Sequence, residues 1–173
     1  LRRCVMKGMI RMKHFIVMIG LAFSFLPTAS AFDYVAAYKD WSVFKDTING
    51  EPVCYAVTRA EDKAPKSATH GDVVFFVSFF RSSDLPQASL RVSYDLREDL
   101  KARAIVSGKS YPMYSVRNEA FLSNADERSI ESALKRGSSL RVEATSEKNT
   151  DVAYEFSLSG SSSAIDKASA LCG

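Results

Sequence analysis

The chain has 173 residues, a quarter of them charged, 46% hydrophobic and with a formal net charge of +3. Residues 1–31 hold five of the 23 basic side chains and no acid, so 18 basic and 20 acidic residues remain in 32–173. That slightly acidic body gives no reason to expect nucleic-acid or anionic-lipid binding, and the length suits one domain.

The N-terminal stretch reads as a secretory signal. Lys13 is a basic lead, Phe15–Leu26 is an apolar run of 12, Pro27 breaks it and Ala29-Ser30-Ala31 supplies small residues for cleavage after Ala31. Such a run is too short for a spanning helix, which argues against a stable membrane anchor. Met6, Met9 and Met12 are all possible starts. Removing residues 1–31 takes Cys4 with them and leaves Cys54 and Cys172. An even count in an exported body reads as one disulfide.

In chain order, Asp33 to Asp40 is a short polar-aromatic lead. Trp41–Lys45 and Val53–Thr58 are strands, joined through Asn49-Gly50, both of which tolerate positive φ. Arg59 to Gly71 is a polar loop carrying His70, expected to be exposed and mobile. Val73 to Phe80 follows, apolar except for Ser78. Alternation sends Val73, Phe75, Val77 and Phe79 one way and Val74, Phe76, Ser78 and Phe80 the other. Both sets are apolar, so the expectation is a central strand with cover on each face, or one face kept for a partner or ligand. Ala88–Tyr94, Ala102–Val106, Tyr111–Val116 and Glu119–Leu122 are further strands.

Asn124 is placed to cap a helix, with Glu127 completing a capping box and Gly137 ending it in a left-handed conformation. Ile130, Ala133 and Leu134 give it one apolar face. Leu140–Ala144 and Val152–Leu158 alternate as a hairpin with one wet face. Ser161 opens a last helix that delivers Cys172. The sum predicts an all-β, mainly antiparallel β-sandwich with one medium and one short C-terminal helix.

Chemistry is sparse. His70 is the one histidine of 32–173, no Gly-x-Ser-x-Gly elbow presents a nucleophile, and acid pairs such as Glu98/Asp99 diverge on a strand. No catalytic, cofactor or metal site is expected from these residues. Aromatics are richer, with 11 Phe and 7 Tyr. Phe79, Phe80, Tyr111 and Tyr114 are the candidates for an exposed partner patch.

Trp41-Ser-Val-Phe, Cys54-Tyr-Ala-Val-Thr, Gly71-Asp72 before Phe75-Phe76-Val77-Ser78, Ala133-Leu134-Lys135-Arg136-Gly137-Ser138-Ser139-Leu140, and Ser157-Leu158-Ser159-Gly160 before Cys172 together resemble the invasion-associated locus B family. The resemblance covers 40–173. It departs at Ser161, where the family carries an aromatic, and in the Phe121 region, where it carries a Trp. It implies an exported periplasmic or envelope protein of an α-proteobacterium, with no enzymatic activity attached, that works by contacting an unknown envelope or host protein. Two alternatives stand beside it. One is a small apolar ligand held inside the sandwich. The other is a hydrolase in which His70 meets a Ser and an acid.

Overall fold

A computed structural model describes residues 32–173, so residues 1–31, read above as a secretory signal, and Cys4 with them lie outside the described residues. The elements are β1 (Asp33–Tyr38), β2 (Trp41–Ile48), β3 (Glu51–Arg59), β4 (Asp62–Ala64), β5 (Val74–Phe80), β6 (Gln87–Arg91), β7 (Ala102–Val106), β8 (Lys109–Val116), β9 (Glu119–Leu122), α1 (Glu127–Arg136), β10 (Ser139–Thr145), β11 (Asp151–Ser157) and α2 (Ser161–Cys172). The fold is all-β and antiparallel throughout, with a medium helix and a C-terminal helix.

The strands form one sheet in the order β1-β2-β3-β5-β6-β9-β8-β7-β10-β11-β4. Its sandwich-like core arises because the sheet rolls on itself. β3 hydrogen-bonds to β2 and β5, and the chain then runs on through Glu61, whose N–H donates to Glu155 O, into β4 on β11. Two distant strands therefore meet face to face. Phe75 of β5 lies 5.8 Å from Phe156 of β11, and the Trp41 indole N–H of β2 donates to Ser157 O at 2.9 Å. Trp41, Phe75, Tyr111, Tyr154 and Phe156 fill the middle of this core. Each such ring out of water contributes ~2–3 kcal/mol.

Local chemistry sets the register. Asn49 (φ 52°) and Gly50 (φ 84°) make the two-residue turn that the right-handed twist of a hairpin favours, and they place Phe44 opposite Tyr55. The Asp33–Asp40 lead is mostly a strand: β1 pairs with β2 and is bulged between Tyr34 and Ala36. Bulges of this kind blunt an edge against unwanted pairing.

The helices close one end of the roll. α2 packs on β2, β3 and β5, and α1 packs on α2, β6 and β7. The Cys54–Cys172 disulfide joins β3 to the last turn of α2. Gly160, at φ 92°, admits no side chain, because a Cβ there would sit 1.9 Å from Tyr38 O. The Ser161 hydroxyl donates to Leu134 O or Leu158 O, both at 2.8 Å, and stitches α1 to the start of α2. An aromatic side chain has no such use at a fully buried position.

Two cap expectations are corrected. α1 starts after Asp126 rather than Asn124, with no side-chain cap. Glu127 does not fold back as a capping-box partner. Its carboxylate accepts the Ala88 N–H of β6 at 2.9 Å. The β6–β9 ladder stops at the Ser89–Phe121 pair, so Ala88 needs a partner there, and Glu127 supplies it. Gly137 is extended (φ −76°, ψ 171°), not left-handed. Its missing side chain serves packing instead, since a Cβ would come within 2.8 Å of both Leu158 and Val106.

Candidate functional site

The site grows from the alternation of β5. Phe75, Val77 and Phe79 are buried against the core, whereas Val74, Phe76, Ser78 and Phe80 are only half-buried. The expectation of cover on both faces is corrected: the outer face of β5 has no layer over it among the described residues. A strand flanked on both edges but covered on one face leaves its second apolar set at the surface.

Neighbouring strands continue that set. Tyr34 of β1 lies edge-on to Phe44 of β2 at 5.7 Å, Phe44 stacks on Tyr55 of β3 at 5.8 Å, and Tyr55 meets Phe76 of β5 at 5.7 Å. These spacings are those of favourable aromatic pairs. The Arg91 guanidinium of β6 sits 5.1 Å from the Phe76 ring centroid and pairs with Glu119 of β9. Phe121 of β9 then faces Tyr114 of β8 at 5.8 Å. Two aromatic runs, one of four rings and one of two, thus share the outer face with Ser89 and Arg91 of β6 between them, and together this strip crosses seven strands. Its two ends are the most open, with Tyr34 61% and Tyr114 51% exposed. Partial burial, aided by the negative charge of Asp46 and opposed by Arg91, pushes the Tyr55 hydroxyl up to about 12. It stays a neutral donor at any ordinary pH.

The sequence candidates divide. Tyr114 lies in the strip and Phe80 lies beside it on the half-buried face of β5. Phe79 and Tyr111 are corrected. Phe79 is 6% exposed and Tyr111 is 2% exposed, so neither belongs to a surface patch. Phe79 pairs with Cys54, beneath α2, because it shares the inner face with Phe75. Tyr111 sits on the inner face of β8, with the Lys109 ammonium 4.6 Å from its ring centroid. Adjacent aromatics on a strand point to opposite faces, so Phe79-Phe80 never formed one patch. Tyr34, Phe44, Tyr55, Phe76 and Phe121 were missed. The two-residue Asn49-Gly50 turn was the available signal, since it alone sets Phe44 opposite Tyr55.

The rest of the outer face is charged. Arg103 of β7 donates to Glu143 of β10 at 2.7 Å, and Arg141 donates to Glu143 at 2.7 Å and to Glu155 of β11 at 2.6 Å. Arg141 first, then Arg103, holds the Glu143 carboxyl below its usual range. An open cleft of about 530 Å³ lies over this ladder, between Pro65 and Arg103. Every charge in the ladder is answered by another within it.

The other end of the roll holds His70. It is 7% exposed, not a solvated loop residue. The Arg59–Gly71 segment is pinned by β4 and by an Ala60 N–H to Val73 O bond, rather than free. His70 Nε2 lies 2.9 Å from Pro65 O and Nδ1 lies 3.2 Å from the Tyr154 hydroxyl. Both ring nitrogens are thus engaged, and neither by a serine or a carboxylate, so no Ser-His-acid relay forms at His70. Among the described residues, no group of three or more His, Cys, Asp or Glu gathers to hold a metal ion, and no helix is long and apolar enough to cross a membrane. No family model, curated protein or solved structure matches the chain.

Proposed function

We propose that this chain is an exported periplasmic or envelope binding protein, non-enzymatic and of the invasion-associated locus B type, that docks a protein partner on its aromatic outer face. The observation that carries the reading is the strip from Tyr34 through Phe44, Tyr55 and Phe76 to Tyr114. Contiguous apolar surface on a soluble domain marks an interaction site, and Tyr, Phe and Arg are the residues that anchor such sites. The Cys54–Cys172 disulfide supports an oxidising compartment, and the signal-like residues 13–31 support export into it. The family resemblance supports the same location.

The test is photo-crosslinking in the envelope. A benzophenone amino acid is placed at Tyr34, at Tyr114 or, on the charged side, at Arg103, in a copy made with its leader. The expected result is one shared protein adduct from Tyr34 and Tyr114, none from Arg103, and a chain that starts at Phe32. Adducts that are absent, or equal on both sides of the face, would sink the reading.

A further inference from the structure

A second cleft of about 580 Å³ opens at the His70 end of the roll, lined by His70, Tyr94, Asp95, Glu147, Lys148 and Thr150 among others. Its floor is a chain of hydrogen bonds with a defined direction. Pro65 O has only lone pairs, so His70 Nε2 carries the proton that bonds it. In the neutral imidazole Nδ1 then has a lone pair and accepts the Tyr154 hydroxyl. Tyr154 is fully buried, and burial pushes its hydroxyl up, so it keeps its single proton. Having given that proton to Nδ1, Tyr154 Oη accepts from Tyr94, its other hydroxyl partner. Tyr94 Oη, in a residue that lines the cleft, is left with free lone pairs.

A proton added at Nδ1 reverses this order. His70 Nδ1–H donates to Tyr154 Oη, the Tyr154 O–H turns to Tyr94 Oη, and the Tyr94 O–H, with no second partner among the described residues, is free for a molecule in the cleft that Tyr94 lines. Only rotations of two hydroxyls are needed, and no bond other than N–H is made.

We infer that the Tyr94 cleft is a binding site for small polar molecules whose hydrogen-bonding sense is set by the protonation of His70, so that a ligand bearing a carbonyl-type acceptor binds with uptake of one proton. The groups around His70 are the Tyr154 hydroxyl from β11, the Tyr94 hydroxyl beyond β6, the Pro65 carbonyl beyond β4, and the rim charges Asp95, Glu147 and Lys148. Lys63, bonded to Gly71 O, and the Arg59–Asp72 pair flank its segment. A neutral ligand is the probe that these charges perturb least.

The experiment uses the full chain in a His14→Gln background, so that one imidazole is observed, with 15N-histidine and labelled tyrosine rings. Long-range 1H–15N spectra are expected to show the Nε2–H tautomer in the neutral imidazole. N,N-dimethylacetamide, which only accepts hydrogen bonds, is then titrated with the imidazole neutral and with it protonated, as those spectra report, and followed at the Tyr94 ring. Binding is expected to be on the order of 3–10-fold tighter on the acid side, the worth of one net hydrogen bond. Tyr154→Phe, which removes one oxygen from the relay, should erase the difference. An Nδ1–H tautomer, equal or absent binding at both pH values, or a pH difference that survives Tyr154→Phe would overturn the inference. The tautomer is read in a chain with its relay intact, so that arm stands even if the variant fails to fold.

Discussion

The outer face of this sheet has two halves, made by the same backbone and the same alternation, with opposite chemistry. On β1 through β8 in sheet order the outward rings are Tyr34, Phe44, Tyr55, Phe76, Phe121 and Tyr114, with the Arg91–Glu119 pair among them. On β7, β10 and β11 they are Arg103, Glu143, Arg141 and Glu155. The charged half is complete in itself, since each ion has its counter-ion and water does the rest. The aromatic half is complete only in part. Its rings cover one another edge to face, but the strip as a whole has no layer above it among the described residues. A solvated sheet face normally looks like the charged half. The aromatic half therefore needs a reason, and contact with another molecule is the one that its chemistry offers.

The inner support of the two halves differs as well. β3, which carries Tyr55 outward, carries Cys54 inward to α2. Cys54→Ser should cost about 4–5 kcal/mol by loop entropy, for a bridge closing a separation of 118 residues. The expected outcome is a melting temperature that falls under oxidising conditions and is unchanged under reducing ones. Equal melting of wild type in both conditions would show that the aromatic half does not depend on this tie.

The second effect lies at the margin of the aromatic half, where Glu127 holds Ala88 of β6. Burial first, with Asp126 and Glu131 adding to it and the Ala88 N–H opposing, pushes its carboxyl from 4.5 to about 8. The folded state thus holds a proton that the unfolded chain releases above about 4.5. Stability is fully present below that pH, falls by up to about 4–5 kcal/mol as pH rises towards 8, and is level beyond it. Denaturant midpoints taken across this window should decline for the native chain and stay flat for Glu127→Gln. A flat native profile would mean that the carboxyl is hydrated.

The strip itself comes third. Phe76→Ala removes a half-buried ring between Tyr55 and Arg91 and should cost about 1–2 kcal/mol. Its larger consequence should be loss of the Tyr114 crosslink. An unchanged crosslink in a folded variant would separate the strip from docking. The smallest effect is expected in the charged half. Glu143→Gln leaves Arg103 and Arg141 without their shared anion, yet these groups are largely in water, so about 0.5–1 kcal/mol is at stake and 1 M salt should remove most of it. A cost above that of Phe76→Ala would reverse the ranking of the two halves.

Much of this was legible in the chain. The apolar run Val73–Phe80 located β5, and alternation with turn signals located β7, β8, β9, β10 and β11, all within a residue or two, because a half-buried strand writes its period of two into the residue types. The Cys54–Cys172 pair followed from the even count of cysteines left when residues 1–31 are read as a leader. The strip was not legible as a unit. Its rings come from β1, β2, β3, β5, β8 and β9, and only the sheet order brings Phe76 beside Tyr55 and Phe121 beside Tyr114. Phe79 and Tyr111 misled for the same reason: an aromatic residue on a strand reads alike whichever face it takes. His70 looked exposed because its neighbours in sequence are polar, while the groups that bury it, Tyr154 and Tyr94, lie 84 residues beyond it and in another strand's tail.

The class of the fold, most strand and helix positions, the disulfide partners and the tight Asn49-Gly50 turn follow from the amino-acid sequence alone, while β1, β4 and the start of α1 do not. The former all depend on a residue and its near neighbours, or on a count of cysteines. The tertiary structure alone decided which side of each strand is covered, where Glu127 sends its carboxylate, and which charges answer one another. It also decided that His70, Tyr154 and Tyr94 share one chain of hydrogen bonds. Those outcomes depend on which distant strands are neighbours when the sheet rolls closed, and no local pattern carries that.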